Sequence, residues 1–93
     1  MVTIAQITDL HCRPAGASAL GFVPTNALAR RAVDALLALR PQPDLVLVTG
    51  DVTDRGEPAA YEVARDALAR LPMPVLLTPG NHDGREAMRA AFA

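Results

Sequence analysis

Three short runs of β-branched and other apolar residues alternate along the chain with stretches of helical periodicity. The first two runs are Val2–Thr8 and Leu45–Thr49, and the third is Val75–Thr78. Strands that alternate with helices usually pair in parallel and are joined by right-handed crossovers. The alternation therefore predicts an α/β fold built as a parallel β-α-β-α-β-α unit.

The predicted helices are delimited by residues that start or stop helices. Thr25 or Asn26 can cap the first helix, and the proline-rich segment 41–43 ends it. Pro58 suits the first position of the second helix, because a proline there gives up no hydrogen bond. A third helix is predicted from Arg85 to Phe92.

The predicted sheet has one face that these helices do not cover. Right-handed crossovers between strands in sequential order put both helices on the same face. The second and third strands are nevertheless apolar on both sides, and a continuous apolar run is typical of a strand buried on both faces. We therefore expect residues 1–93 to form a single incomplete domain whose second face is covered from outside, and an uncovered face would favour a homo-oligomer.

Composition argues against several classes of partner and places the chain in the cytoplasm by default. The net charge is −1 and all nine basic residues are arginines spread along the chain, so no basic block favours nucleic acid or an anionic membrane. With three aromatic residues, the chain has too few for a base-stacking surface. The chain lacks both a secretory signal pattern and the ~20 apolar residues that a membrane span needs. Cys12 is the only cysteine, which fits a reducing compartment.

Polar residues with metal-binding chemistry follow each predicted strand. Asp9-Leu10-His11 follows the first strand, Gly50-Asp51 the second, and Gly80-Asn81-His82-Asp83 the third. Parallel strands end at a common edge of the sheet, where open α/β folds bind ligands. Carboxylate, imidazole and amide oxygen donors suit Zn, Mn or Fe. The pattern predicts a site for two divalent cations, which act together about 3.5–4 Å apart on phosphate esters.

Each of these residues also has an ordinary explanation as a turn residue, and it is their coincidence at three strand ends that favours a metal site. The sequence allows two interpretations of Asp54 and Arg55. Asp54 can orient His82 from behind and Arg55 can hold a phosphate oxygen, or both are exposed turn residues ahead of the second helix. For Cys12, a loop thiol without a role is favoured over a metal ligand.

These blocks, in this order and spacing, resemble the first three motifs of the calcineurin-like metallophosphoesterases. The resemblance spans nearly the whole chain, and it is strongest to the bacterial cyclic-nucleotide phosphodiesterases and glycerophosphodiesterases, which the stretch Gly56–Tyr61 also resembles. It implies that the chain is the N-terminal part of a metallophosphoesterase-type αββα sandwich. The rest of such a sandwich would cover the exposed face of the sheet.

The resemblance implies a role for each matching residue. Asp9 and His11 would bind the first metal ion, Asp51 would bridge both ions and Asn81 would bind the second. His82 would be the catalytic residue, as proton donor to the leaving alkoxide or as a clamp on the transition state. The phosphate of a small phosphodiester substrate would rest beside His11, Asn81 and His82.

Two departures from the family pattern matter. The segment Gly50–Gly56 is similar to the second motif of the protein Ser/Thr phosphatases, but Cys12 stands where those enzymes carry Gly, and Asp83 stands where they carry Glu. The family also uses further histidines, including a Gly-His-x-His, whereas this chain has only His11 and His82. The second metal ion would therefore keep only two of its ligands.

The sequence thus predicts a metal-dependent phosphodiesterase, acting on a cyclic nucleotide or a similar phosphodiester, whose site is incomplete in these residues. Three alternatives stay open. One is a phosphomonoesterase like the protein Ser/Thr phosphatases, another is a non-catalytic half-site or assembly module, and the last is a purely structural α/β fragment.

Overall fold

The computed structural model of the protein describes residues 2–17, 23–80, 83 and 85–92. The elements in these residues are β1 (Ile4–Thr8), α1 (Thr25–Ala38), β2 (Leu45–Thr49), α2 (Pro58–Leu68), β3 (Val75–Leu77) and α3 (Arg85–Phe92). Their order confirms the predicted α/β class and the alternation of strands with helices. None of the described helices combines the length and the apolar character needed to cross a membrane.

The strands in the described residues form one parallel sheet in the order β1-β2-β3. Ile4 pairs with Leu45 and Thr8 with Thr49 across β1 and β2, and β3 pairs with β2 from Val75 onward. Strand β1 begins two residues later than predicted, at Ile4, which pairs with Leu45 at the start of β2. All three strands end at the same edge, as the sequence predicts.

The core lies between the helices and one face of the sheet. Val46 and Val48 of β2 are fully buried and cluster with Val33 of α1 and with Tyr61 and Ala64 of α2. Helix α1 packs on α2, and α2 packs on α3. The helices thus form a layer over one face, as right-handed crossovers require.

The opposite face of the sheet is exposed in the described part of the chain. Ile4 is 54% exposed and Leu76 is 56% exposed, and Leu47 between them is partly exposed. The predicted uncovered face is confirmed for these residues. Val46 and Val48 of β2 have the helix layer packed against them, and the cover expected over the other face from outside residues 1–93 stays a prediction.

The start of α1 differs from the prediction in a way that bears on the site. Neither Thr25 nor Asn26 caps the helix, because both are already helical and Pro24 occupies the capping position without a side-chain bond. Instead, the Thr25 hydroxyl donates to the carbonyl of His11 at 2.7 Å. The Asn26 side chain accepts a hydrogen bond from the Arg13 N–H and donates one to the Arg13 carbonyl, each at 2.8 Å. These two side chains fasten the segment after β1 to α1.

Candidate metal centre

Three loops leave the sheet at its carboxyl edge. We call them the first loop (residues 9–13, after β1), the second loop (residues 50–56, after β2) and the third loop (residues 78–80 and 83, after β3). Asn81 and His82 lie outside the described residues, so their predicted roles as metal ligand, substrate contact and catalytic residue stay predictions.

The structure brings together three of the predicted metal ligands. The Nε2 atom of His11 lies 3.9 Å from Oδ1 of Asp9 and 3.8 Å from Oδ2 of Asp51. One ligand atom from each residue lies within 4.8 Å of the other two. The Asp51 side chain is only 14% exposed, whereas that of Asp9 is 55% exposed. The cluster is therefore open to solvent on the side of Asp9.

The backbone of the first loop is shaped to present two side chains to the same side. Asp9 and His11 have φ angles of +55° and +49°, which non-glycine residues rarely adopt. Leu10 between them is buried in the core. The Asp9 N–H donates to the carbonyl of Thr49 and the His11 N–H to that of Asp51, both at 3.0 Å. Hydrogen bonds to the last residue of β2 and to the second loop thus hold two strained residues in place.

Two glycines allow the loops to approach each other this closely. A Cβ atom on Gly50 would lie 2.7 Å from Oδ1 of Asp9, and the φ angle of Gly50 is +72°. A Cβ atom on Gly80 would collide with the side chain and the backbone of Asp51. Glycine is therefore required at both positions by the carboxylates beside it.

The carboxylate of Asp9 is held in its ionised form. The Thr8 hydroxyl donates to its Oδ2 atom at 2.6 Å, and the backbone N–H of Asp51 approaches Oδ1 at 3.3 Å. These two contacts, the Thr8 hydroxyl first, lower the pKa of Asp9 below its ordinary value. An ionised carboxylate is the form that binds a cation.

Asp54 lies behind His11. Its Oδ1 atom is 3.3 Å from Nδ1 of His11, and its Oδ2 atom is 3.9 Å from the guanidinium of Arg13. With the proton on Nδ1 facing Asp54, the free electron pair on Nε2 points to the other two carboxylates, which is the arrangement of a metal-binding histidine. Arg13 also faces Glu57 at 3.4 Å, as an ion pair without a hydrogen bond. Orientation of His82 by Asp54 stays a prediction.

Asp83 is a residue that the sequence analysis left without a role. It bonds to the N–H groups of Gly80, Val52 and Thr53 and to the hydroxyls of Thr53 and Tyr61, all at 2.8–2.9 Å. Burial raises the pKa of Asp83, but these bonds outweigh it and leave the pKa below its ordinary value. The sequence offers one hint, since a tyrosine buried among the apolar residues of a helix needs a partner for its hydroxyl.

Two other residues from the sequence analysis are not among the clustered donors. Cys12 is fully buried in the core, and desolvation raises the pKa of its thiol to about 11. It pairs through its backbone with Thr53, so its part in the fold is structural. Arg55 is exposed, and none of the hydrogen bonds or ion pairs found among the described residues involves it. Its predicted hold on a phosphate oxygen stays a prediction.

The three donors fit a divalent cation. Ligand distances of about 2.0–2.2 Å let one ion bridge donor atoms up to about 4.4 Å apart. The separations of 3.8 and 3.9 Å from Nε2 of His11 fall within that reach, and the donor atoms of Asp9 and Asp51 lie within 4.8 Å of each other. Two carboxylates and one imidazole, without a thiolate, suit Zn, Mn or Fe.

Comparison with known proteins adds a family match over nearly the whole chain. A model of the family described as calcineurin-like phosphoesterase matches residues 2–93. A glycerophosphodiester phosphodiesterase of Enterobacter lignolyticus is 43% identical over 82 residues, which are 88% of this chain and 30% of that protein. A 3',5'-cyclic-nucleotide phosphodiesterase of Nostoc is 38% identical over 87 residues, which are 94% of this chain and 33% of that protein.

A third relative extends the match to another phosphodiesterase. The 3',5'-cyclic adenosine monophosphate phosphodiesterase of Escherichia coli is 33% identical over 91 residues, which are 98% of this chain and 33% of that protein. The chain thus spans about a third of the length of these curated relatives. All three loops of the cluster fall within the matched region.

Proposed function

The chain belongs to the calcineurin-like phosphoesterase family, and from that premise we propose that it carries part of the active site of a metal-dependent phosphodiesterase. The observation that carries the proposal is the approach of Asp9, His11 and Asp51 at the carboxyl edge of the sheet. Their donor atoms lie within 4.8 Å of one another, although 42 positions separate Asp9 from Asp51 in the sequence.

The proposed ligands divide between two cation sites. Asp9 and His11 would hold the first divalent ion, and Asp51, with two carboxylate oxygens, would contribute to both sites. Asn81 completes the part of the second site that this chain supplies. Bound there, two such ions provide Lewis-acid activation of water and of the phosphoryl oxygens. His11, Asn81 and His82 line the position of the phosphate, and His82 gives a proton to the leaving alkoxide.

The proposed substrate is a small phosphodiester. The relatives named above act, by their names, on glycerophosphodiesters or on 3',5'-cyclic nucleotides. A phosphodiester needs water as nucleophile and a proton for the departing oxygen, and the donor set on this edge of the sheet suits that chemistry. The ratio of activity on bis(p-nitrophenyl) phosphate to that on p-nitrophenyl phosphate distinguishes this proposal from a phosphomonoesterase, for which the monoester would be the better substrate.

The metal site can be tested with two matched substitutions. Asp51→Asn removes the charge of the central ligand, and Asp66→Asn makes the same chemical change on the exposed side of α2. We expect Mn²⁺ affinity, measured from the electron paramagnetic resonance signal of free Mn²⁺, to fall at least about tenfold in D51N and to stay within twofold in D66N. Equal affinity in D51N and in the unchanged chain would reject the metal site.

Turnover is expected to be slow in the 93 residues alone. The described cluster offers three donors, and the chain has no histidine beyond His11 and His82 to add to them. We therefore expect weak Mn²⁺ binding and little hydrolysis of bis(p-nitrophenyl) phosphate. Rapid Mn²⁺-dependent turnover by this chain would refute the proposal that its ligand set is incomplete.

The exposed face of the sheet favours a second candidate, an assembly module that retains half of the metal site. Ile4 and Leu76 lie on this face and are more than half exposed. Association through such a face buries apolar area and is stabilising. Sedimentation velocity separates the two candidates, since a monomer over a wide range of protein concentration would count against the assembly module.

A further inference from the structure

The carboxylate of Asp83 joins two loops and a helix. Its Oδ2 atom accepts hydrogen bonds from the N–H groups of Val52 at 2.9 Å and Gly80 at 2.8 Å. Its Oδ1 atom accepts from the N–H and the hydroxyl of Thr53, at 2.8 and 2.9 Å, and from the hydroxyl of Tyr61 at 2.8 Å. One side chain therefore ties the third loop to the second loop and to α2.

The second loop is in turn tied to the first. The His11 N–H donates to the carbonyl of Asp51 and the Cys12 N–H to that of Val52, both at 3.0 Å. The Asp54 N–H donates back to the carbonyl of Cys12 at 3.0 Å. In the second loop, Asp83 holds the backbone N–H groups of the two residues directly after Asp51. These bonds therefore affect the contact between the first and second loops, which carry the clustered donors.

We propose that Asp83 is a positioning residue, which sets the spacing of Asp51 from the donors of the first loop by clamping the backbone that follows Asp51. The expected effect of Asp83 on metal binding rests on the proposed function. Its expected effect on loop structure rests on the hydrogen bonds alone. Asp83 itself is bonded to backbone N–H groups and hydroxyls and is not one of the clustered donors.

A carboxylate is the only side chain of this length that satisfies all of these donors. Each of its oxygens accepts from at least two of them, and neither oxygen has a hydrogen to offer. In Asp83→Asn one oxygen becomes an NH₂ group, which faces N–H or O–H donors in either orientation of the amide. At the Oδ2 position the NH₂ group loses the bonds from Val52 and Gly80. At the Oδ1 position it loses the bond from the Thr53 N–H, whereas the hydroxyls there can turn to accept. The lowered pKa of Asp83 agrees with the preference of this environment for a carboxylate.

Amide hydrogen exchange of the chain tests the clamp without any metal. We expect the amides of His11 and Cys12 to exchange at least tenfold faster in D83N, although neither is bonded to Asp83. The amide of Val46, in the middle of the sheet, reports global unfolding. Val33→Ala in α1 serves as the control, because it removes buried apolar contacts but no side-chain hydrogen bond, and it should accelerate all of these amides together.

Mn²⁺ affinity supplies the second measurement. We expect a loss of at least tenfold in D83N, and no loss in V33A once both affinities are corrected for the folded fraction. Tyr61→Phe removes one donor from the clamp and is the milder variant should D83N not fold. It should accelerate exchange at His11 about threefold more than at Val46.

The outcomes separate the inference from the proposed function. Faster exchange confined to the amides bonded to Asp83, with His11 and Cys12 unchanged relative to Val46, overturns the inference. Failure of the unchanged chain to bind Mn²⁺ overturns the proposed function, while the exchange data still decide whether Asp83 positions the loops. Loss of Mn²⁺ affinity together with faster exchange in the first loop supports both.

Discussion

Substitution of Gly50 by Ala separates backbone strain from displacement of a metal ligand. Gly50 has a φ angle of +72°, and a Cβ atom there would lie 2.7, 2.8 and 2.9 Å from the Oδ1, Cγ and Oδ2 atoms of Asp9. Gly16 has a similar φ angle of +84°, but none of the described residues comes within 4 Å of the Cβ it would carry. Gly16→Ala is therefore a control with the same strain and no collision.

Backbone strain lowers the stability of both variants, whereas displacement of Asp9 lowers the metal affinity of G50A alone. Placing a Cβ in the left-handed region costs about 1–2 kcal/mol, and this term is common to both variants. Non-bonded carbon atoms normally lie about 3.5–4.0 Å apart, whereas Cγ of Asp9 lies 2.8 Å from the added Cβ, so in G50A the carboxylate of Asp9 must move by about 0.7–1.2 Å. The Asp9 side chain is 55% exposed and can rotate into solvent, which relieves the collision without disturbing the core.

We therefore expect similar losses of stability but different losses of metal affinity. Both variants should have melting temperatures lower by about 4–8 °C for each kcal/mol of strain. G50A should also bind Mn²⁺ about 10–100-fold more weakly, because Asp9 no longer faces His11, whereas G16A should bind it as the unchanged chain does. Differential scanning calorimetry and Mn²⁺ titration by paramagnetic resonance give the two quantities.

Two outcomes would refute this reasoning. Unchanged Mn²⁺ affinity in G50A would mean that Asp9 is not a ligand or does not need its present position. A loss of affinity in G16A as large as that in G50A would mean that general destabilisation, and not displacement of Asp9, weakens metal binding.

Three further substitutions or reactions test other parts of the site. Asn26→Ala leaves the backbone N–H and carbonyl of Arg13 without their partner, so urea denaturation should show a loss of about 1–3 kcal/mol, and a change below about 0.5 kcal/mol would contradict the fastening role. Cys12, buried and with a raised pKa, should react with iodoacetamide at pH 8 only at the rate of global unfolding; rapid alkylation of the native chain would contradict its burial. Asp54→Asn should increase the fraction of His11 with its proton on Nε2, as measured by long-range ¹⁵N NMR, and an unchanged fraction would show that Asp54 does not orient the ring.

The sheet and the position of the site were predictable from the sequence, because they depend on the hydrophobic period and on the order of strands and helices along the chain. Alternation of short apolar runs with helical periodicity fixes the parallel pairing, and parallel pairing brings all strand ends to one edge. That edge brings Asp9 and Asp51 to the same end of the sheet. The exposure of Ile4 and Leu76 follows from the same argument, since both crossovers place their helices on the other face.

The errors arise where a polar side chain has more than one possible partner. Thr25 and Asn26 have the composition of a helix cap, but a carbonyl and an N–H of the first loop lie within reach and are bonded instead. Capping and loop fastening use the same chemical groups, so local sequence cannot distinguish them. Asp83 was missed for the same reason, because an Asp among glycines is typical of an ordinary turn.

The spacing of the first motif has a physical cause that the structure makes visible. Asp9 and His11 both face the site, and the single residue between them, Leu10, is buried in the core. Asp9 and His11 are not extended, since both have positive φ angles, and the segment is held instead by their N–H groups, which donate to the carbonyls of Thr49 and Asp51. The positive φ angles at both ligands are tolerated because these bonds and an apolar anchor hold the segment on either side. An Asp-x-His spacing therefore requires an apolar middle residue here, and a polar residue in place of Leu10 would release both ligands at once.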